Sequence, residues 1–127
     1  MSLSDCRIAA VAAVSDLDRA RGFFEESLGL SQIDSGAGGD EIVFGCGEGT
    51  GLMVYASPEH AGKGTATLAC WAVQDLDSEM ESLRAKGVEF EIYDGFGQDD
   101  DGVLRMDGGR VAWFTDPDGN TFAVAEG

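Results

Sequence analysis

The chain contains itself twice. Val14-Ser15-Asp16-Leu17-Asp18 recurs as Val73-Gln74-Asp75-Leu76-Asp77. Each copy closes an apolar, strand-like run, Ile8 to Val14 in the first and Ala66 to Val73 in the second. Each then opens an amphipathic helical pattern that stops at a glycine, Gly29 or Gly87. A repeat of this kind sets the architecture before any single residue is interpreted, because each copy is one supersecondary unit. Two units give a pseudo-symmetric pair, and the cleft expected between them is where function is to be sought.

At 127 residues the chain is expected to be one domain. Half of it buries too little surface to be secure alone, so the halves are expected to share a core or dock closely. The boundaries read as module one over 5–56, a polar linker over 57–64 with Pro58 and two glycines, and module two over 65–127.

Within module one, Asp16 is a plausible N-cap, and Leu17, Ala20, Phe23, Phe24 and Leu28 form one apolar stripe. Gly29 ends the helix. A glycine-rich turn over 35–39 precedes a strand at Glu41-Ile42-Val43-Phe44. A second turn over 45–51 precedes Leu52-Met53-Val54-Tyr55.

Module two repeats the order. Thr65 to Val73 is a strand, Asp75 a cap, and Leu76, Met80 and Leu83 the stripe. Val88 to Tyr93 alternates apolar and polar residues and predicts a half-buried strand. An acidic, glycine-rich loop runs from Asp94 to Gly102, with a short pairing segment after it. Arg110 to Thr115 is a strand, Asp116-Pro117-Asp118-Gly119 a turn, and Asn120 to Ala125 the last strand. The fold class is therefore α+β, with two tandem β-α-β-β-β modules.

Charge narrows the partners. Only 8 basic residues stand against 24 acidic ones, for a net charge of −16. Nucleic acid is excluded, since phosphate binding needs a basic footprint, and an anionic membrane surface is disfavoured. The acidity is either a solvation device or also draws a cationic ligand to the protein. No apolar run approaches a membrane span and no secretory leader is read, so a cytoplasmic protein is expected. Cys6, Cys46 and Cys70 have no metal-type spacing and read as small buried thiols in a reducing cytosol.

At this point the residues carry a resemblance. Val14-Ser15-Asp16-Leu17-Asp18, Phe23-Phe24 with Leu28-Gly29-Leu30, and Val111-Ala112-Trp113-Phe114-Thr115-Asp116-Pro117-Asp118-Gly119-Asn120 resemble the vicinal oxygen chelate superfamily. That group includes glyoxalases, extradiol dioxygenases, fosfomycin-resistance enzymes and bleomycin-resistance proteins. The resemblance covers nearly the whole chain. It implies a mixed sheet curled into a bowl, helices on the convex side, and a ligand or metal site on the concave side.

In enzymatic members of that group, four positions hold a metal. Transferred to this chain they fall at Ala9, Leu68, Ala123 and near Met53. Alanine has no donor atom, and neither leucine nor methionine suits a hard divalent ion. The resemblance therefore implies the fold without its metal centre: no metal residues, no catalytic residues and no cofactor are assigned.

Other chemistry is sparse. His60 is the single histidine and sits in the linker, where a solvated surface residue is the ordinary reading. The glycine-rich segments lack phosphate-cradle motifs. If Ala9 faces the bowl, Val11 and Ala13 do too, and Ile8, Ala10 and Val14 face the helix. In module two Leu68, Cys70 and Ala72 face the bowl, and Trp71 packs under the second helix. The floor is small and apolar, with room for a ring system. Tyr55, Tyr93, Phe96 and Trp113 are the candidate stacking walls. Asp99, in the run Asp99-Asp100-Asp101, reads as part of a solvated loop or as a charge that captures a cation.

The candidate binding residues are thus Ala9, Val11, Tyr55, Leu68, Tyr93, Phe96, Trp113 and Asp99. The preferred expectation is a binding protein for an aromatic or cationic small molecule, similar to the bleomycin-resistance branch, and a homodimer. A glyoxalase-like lyase or isomerase, or a dioxygenase-related enzyme with a displaced site, is the alternative. A regulatory module that mainly dimerises is the third reading.

Overall fold

The structure is a computed structural model that describes residues 2–34 and 39–127. The turn expected over 35–39 lies, apart from Gly39, outside the described residues. Contacts divide the chain into two compact units, Met1–Ala61 and Gly62–Gly127, with the division inside the 57–64 segment.

The first unit holds β1 (Ala9–Val14), α1 (Leu17–Gly22), β2 (Ser31–Asp34), β3 (Glu41–Gly45) and β4 (Gly51–Ala56). Its four strands are ordered β1-β4-β3-β2, with β1 parallel to β4 and the others antiparallel. The second unit holds β5 (Thr67–Ala72), α2 (Leu76–Ala85), β6 (Leu104–Met106), β7 (Gly109–Thr115) and β8 (Thr121–Glu126). Its order is β5-β8-β7-β6, with β5 parallel to β8. The order read from the sequence repeat is the order of both folded units.

The repeated aspartates do the same work in each. Asp16 accepts from the amides of Asp18 (2.9 Å) and Arg19 (3.2 Å), and Asp75 accepts from Ser78 (3.2 Å). Each satisfies amides that have no partner in a first helical turn. Gly29 and Gly87 follow with left-handed φ of 74° and 92°, as helix-stopping glycines do.

The helices differ in length. α1 gives way after Gly22 to a wider turn over Phe23–Ser27, in which the Leu28 amide reaches back to the Phe23 carbonyl at 3.1 Å. Glycine is a poor helix former, by about 1 kcal/mol against alanine. The widened turn carries Phe24 into the core against Phe44, with ring centroids 5.5 Å apart.

In the first sheet Ala12, Val14, Ile42, Phe44, Leu52 and Val54 share the buried side with Phe24 and Ala20. In the second, Phe114 and Phe122 are buried under Trp71, whose ring lies 6.2 and 5.7 Å from theirs. Each fully buried phenylalanine contributes about 1.5–3 kcal/mol relative to exposure. These side chains alternate with those on the opposite face, as strand geometry requires. α2 lies on the Phe114 side, where it contributes buried Leu76, Met80 and Leu83. Glu126 accepts from the Leu76 amide at 2.8 Å, and Arg110 bridges Asp77 and Glu126 at 3.1 and 3.0 Å.

Three expectations fail. The thiols are not buried: Cys6 precedes β1 and is exposed, Cys70 is exposed on the face of β5 opposite Trp71, and Cys46, just after β3, is only partly covered. Val88–Tyr93 is not a strand: it contributes one isolated pairing, Phe90 with Phe114, and one further bond from the Glu91 amide to Trp113 O at 2.8 Å. Beyond that the Gln98 side chain takes the place of a partner strand. Its oxygen accepts from the Tyr93 amide (2.7 Å), and its nitrogen donates to the carbonyls of Glu91 (3.0 Å) and Gly102 (2.6 Å). The alternation therefore buries Val88 and part of Phe90 but leaves Ile92 exposed. Ile8 does not face the helix either. β1 begins one residue later, at the Ala9–Gly51 pair, and Ile8 stands 88% exposed before it.

Candidate functional site: an aromatic group on the open face of the second sheet

β7 places Trp113 on the face opposite Phe114. The register sets Cys70, Ala123 and Trp113 side by side across β5, β8 and β7. Ala123 is buried in that row, while Trp113 is half-buried. Tyr93 and Phe96, from the loop braced by Gln98, close on the indole. Ring centroids lie 5.3 Å apart for Phe96–Trp113 and 6.0 Å for Tyr93–Trp113 and Tyr93–Phe96, with interplanar angles of 70°, 71° and 80°.

Edge-to-face contacts of this kind are worth about 0.5–1.5 kcal/mol each. They hold the three rings yet leave ring surface open, with Tyr93 38% and Phe96 48% exposed. Thr121 lies two residues before Ala123 on β8, on the same face. Burial first, and then the Glu91 carboxylate, push the Tyr93 phenol up, while the nearby Thr121 side chain pulls it down less. At neutral pH the phenol is therefore uncharged, and it can donate or accept. Partial burial likewise pushes the Cys70 thiol up.

Three of the eight candidate binding residues, Tyr93, Phe96 and Trp113, thus come together. Leu68 sits on the same sheet at a register shift between Thr67 and Ala69, and is 41% exposed. Ala9, Val11 and Tyr55 lie in the first unit. They share its open face with Ala13, Met53 and Val43, because Val11 pairs with Met53 and Ala13 with Tyr55. Asp99 is not with the aromatic rings. Its carboxylate is turned inward on the loop, accepting from the amides of Asp101 and Val103, each at 2.9 Å. Those bonds, led by the Val103 amide, hold its carboxyl below the usual range. Asp99 lines a groove on the helix side of the sheet instead.

Gln98 was not picked out by sequence reasoning, although its side chain sets the loop that carries Tyr93 and Phe96. Its only sequence signal is to be an uncharged polar residue inside an acidic loop. His60 accepts or donates at Nδ1 toward Ser57 Oγ at 2.8 Å and is exposed.

The donor positions implied for a metal do not fit one. Ala9 and Met53 on the first sheet, and Leu68 and Ala123 on the second, offer no oxygen or imidazole ligand. Among the described residues, no group of three or more His, Cys, Asp or Glu is placed to hold a metal ion. No buried side-chain nitrogen or oxygen there lacks a hydrogen-bond partner.

Comparison with known proteins agrees with the architecture. The Glyoxalase/Bleomycin resistance protein/Dioxygenase superfamily model matches residues 7–124. The chain belongs to this superfamily. A glyoxalase/bleomycin resistance protein from Catenulispora acidiphila is 26% identical, with a TM-score of 0.68 over 95% of this chain and 97% of that one. TnmS3, an antibiotic binding protein from a Streptomyces species, is 22% identical, with a TM-score of 0.69 and 94% of each chain covered. A lactoylglutathione lyase from Agrobacterium tumefaciens is 20% identical, with a TM-score of 0.69 over 96% and 94%. No curated protein matches the sequence. Structural neighbours on this fold thus include an antibiotic binding protein and a lyase, and the fold alone does not choose between them. No helix among the described residues is long and apolar enough to cross a membrane.

Proposed function

We propose that this superfamily member is a metal-independent binding protein for an aromatic small molecule. The observation that carries the reading is the cluster of Trp113, Tyr93 and Phe96, with exposed ring surface on the open face of the second sheet. Rings held this way offer large apolar contact at small entropic cost, because they are ordered before a ligand arrives. The Tyr93 hydroxyl, uncharged at neutral pH, supplies a polar group for orientation. Net charge of −16 favours a ligand that is cationic over one that is anionic. The antibiotic-binding function of TnmS3 supports this class of ligand, and the absent donors at Ala9, Met53, Leu68 and Ala123 weigh against the lyase reading. Assembly as a homodimer belongs to the same proposal and is checked by light scattering.

The test is calorimetry against a panel of cationic aromatic antibiotics, with indole fluorescence as a second readout. Saturable binding that Trp113→Ala abolishes supports the proposal. Absence of binding stronger than millimolar across the panel removes the antibiotic version. Stoichiometric metal in the purified protein, together with isomerase or lyase turnover, would replace it with the enzymatic reading.

A further inference from the structure

On the helix side of the second sheet lies a groove of about 450 Å³, lined by α2, β6, β7 and the loop at 99–103. Three of the chain's 8 basic residues converge there: Arg84, Arg105 and Arg110. Buried Met80 and Val103 line it too. Arg110 is committed, since Glu126 and Asp77 hold it. Arg105 stands directly across the β6–β7 pair from Arg110, and like charges opposite one another are unfavourable. Arg84 lies 5.1 Å from the centre of the Phe90 ring and donates to the Asp101 carbonyl at 2.9 Å, not to a carboxylate. Glu81 and Asp101 also line the groove. Among the described residues, Arg84, Arg105, Glu81 and Asp101 form no ion pair with one another.

Of the four carboxylates in the groove, Asp77 is held by Arg110 and Asp99 by its loop amides with Arg105 nearby, which leaves the guanidinium groups of Arg84 and Arg105 to share the groove with the carboxylates of Glu81 and Asp101. An anion would meet the two carboxylates and the field of a −16 chain. A cation would meet the two guanidinium groups. A zwitterion has no net charge to be repelled and presents one end to each pair. The volume lies in the range of small-molecule sites. We infer that this groove binds a zwitterion of the α-amino-acid class, its carboxylate on Arg84 and Arg105 and its ammonium on Glu81 and Asp101. Met80 and Val103 offer an apolar surface to its side chain. The groove and the aromatic group lie on opposite faces of the sheet, so the inference stands apart from the proposed function.

The experiment is a titration of the isotope-labelled full chain, followed by amide chemical shifts, with L-leucine, isocaproate and isoamylamine. Saturable shifts in residues 76–85 and 99–105 with L-leucine are expected, with each half-molecule at least about tenfold weaker. Arg105→Ala and Glu81→Gln should each weaken L-leucine by a similar factor, while the Trp113 signal and the fold are unchanged. Isocaproate binding as tightly as L-leucine would make this a plain anion site and overturn the inference. Absence of saturable shifts with L-leucine in the folded wild-type chain would do the same.

Discussion

The Asp116 carboxylate and the Asn120 side-chain amide face each other at 2.9 Å, both almost fully buried. Asp116 also accepts from the amides of Asp118 (3.0 Å) and Asn120 (2.8 Å), and Asn120 in turn accepts from the Gly62 amide at 3.1 Å. The turn between β7 and β8 is thus bonded to the segment that leads into β5. Removing one member of a buried hydrogen-bonded group costs about 1–3 kcal/mol. Asn120→Ala leaves a buried carboxylate and a backbone amide short of a partner, so it should destabilise toward the upper end of that range. Urea denaturation measures it, and no shift in midpoint would contradict this account of the turn.

Gly62 carries the same contact from the other side. Its φ is 67°, and a Cβ placed there would collide with the Asp118 carbonyl. Gly62→Ala therefore has to move the backbone of one segment or the other. It should cost more than the roughly 1 kcal/mol of an unfavourable φ alone. Thermal melts of the variant read this directly.

Gln98 braces the loop that presents Tyr93 and Phe96. Gln98→Ala removes three hydrogen bonds from backbone groups of Glu91, Tyr93 and Gly102. Water can reach some of them, so the stability loss should be modest, about 1–2 kcal/mol. Ligand affinity at Trp113 should fall further than stability does. A variant that bound as tightly as wild type would show that the loop does not preorganise the rings.

The acid limb of the stability curve should follow Glu126. Its carboxyl is held below the usual range, first by Arg110 and then by the Leu76 amide. A group lowered in the folded state contributes stability above its unfolded pKa. That contribution is lost as pH falls through the folded value. Asp116 runs the other way. Burial raises its carboxyl, so its contribution favours the fold at low pH and is lost as pH rises through the folded value. Denaturation midpoints measured from neutral pH downward should therefore fall less steeply in Glu126→Gln than in wild type.

Net charge of −16 in so small a chain implies self-repulsion. Raising ionic strength from about 0.01 M to about 0.5 M shortens the screening length several-fold. The melting temperature should rise over that interval; a fall would show that paired charges outweigh the repulsion.

The element order was legible because local signals agree with one another. The Asp16 and Asp75 caps, the stripes after them and the stops at Gly29 and Gly87 are short-range features. Trp113, Tyr93 and Phe96 were legible as aromatic residues but not as neighbours, since only the β7 register and the Gln98 brace bring them together. The Val88–Tyr93 pattern misled because alternation reports which residues are apolar, not whether a partner strand exists. Asp99 was placed by its acidity, yet the amides of Asp101 and Val103 decide where it points. The Arg105–Arg110 pairing depends on strand register and leaves no mark in the sequence.

Gln98 also bears on how such a protein changes over generations. Because one side-chain amide, and no strand ladder, shapes the Tyr93–Phe96 loop, residues 92–97 meet the sheet beneath chiefly through the Tyr93 and Phe96 rings on Trp113. Their side chains can be exchanged one at a time while the core of Phe114, Phe122 and Trp71 stays as it is. Selection for a new ligand would then proceed by rewriting a short loop, with the scaffold inherited intact.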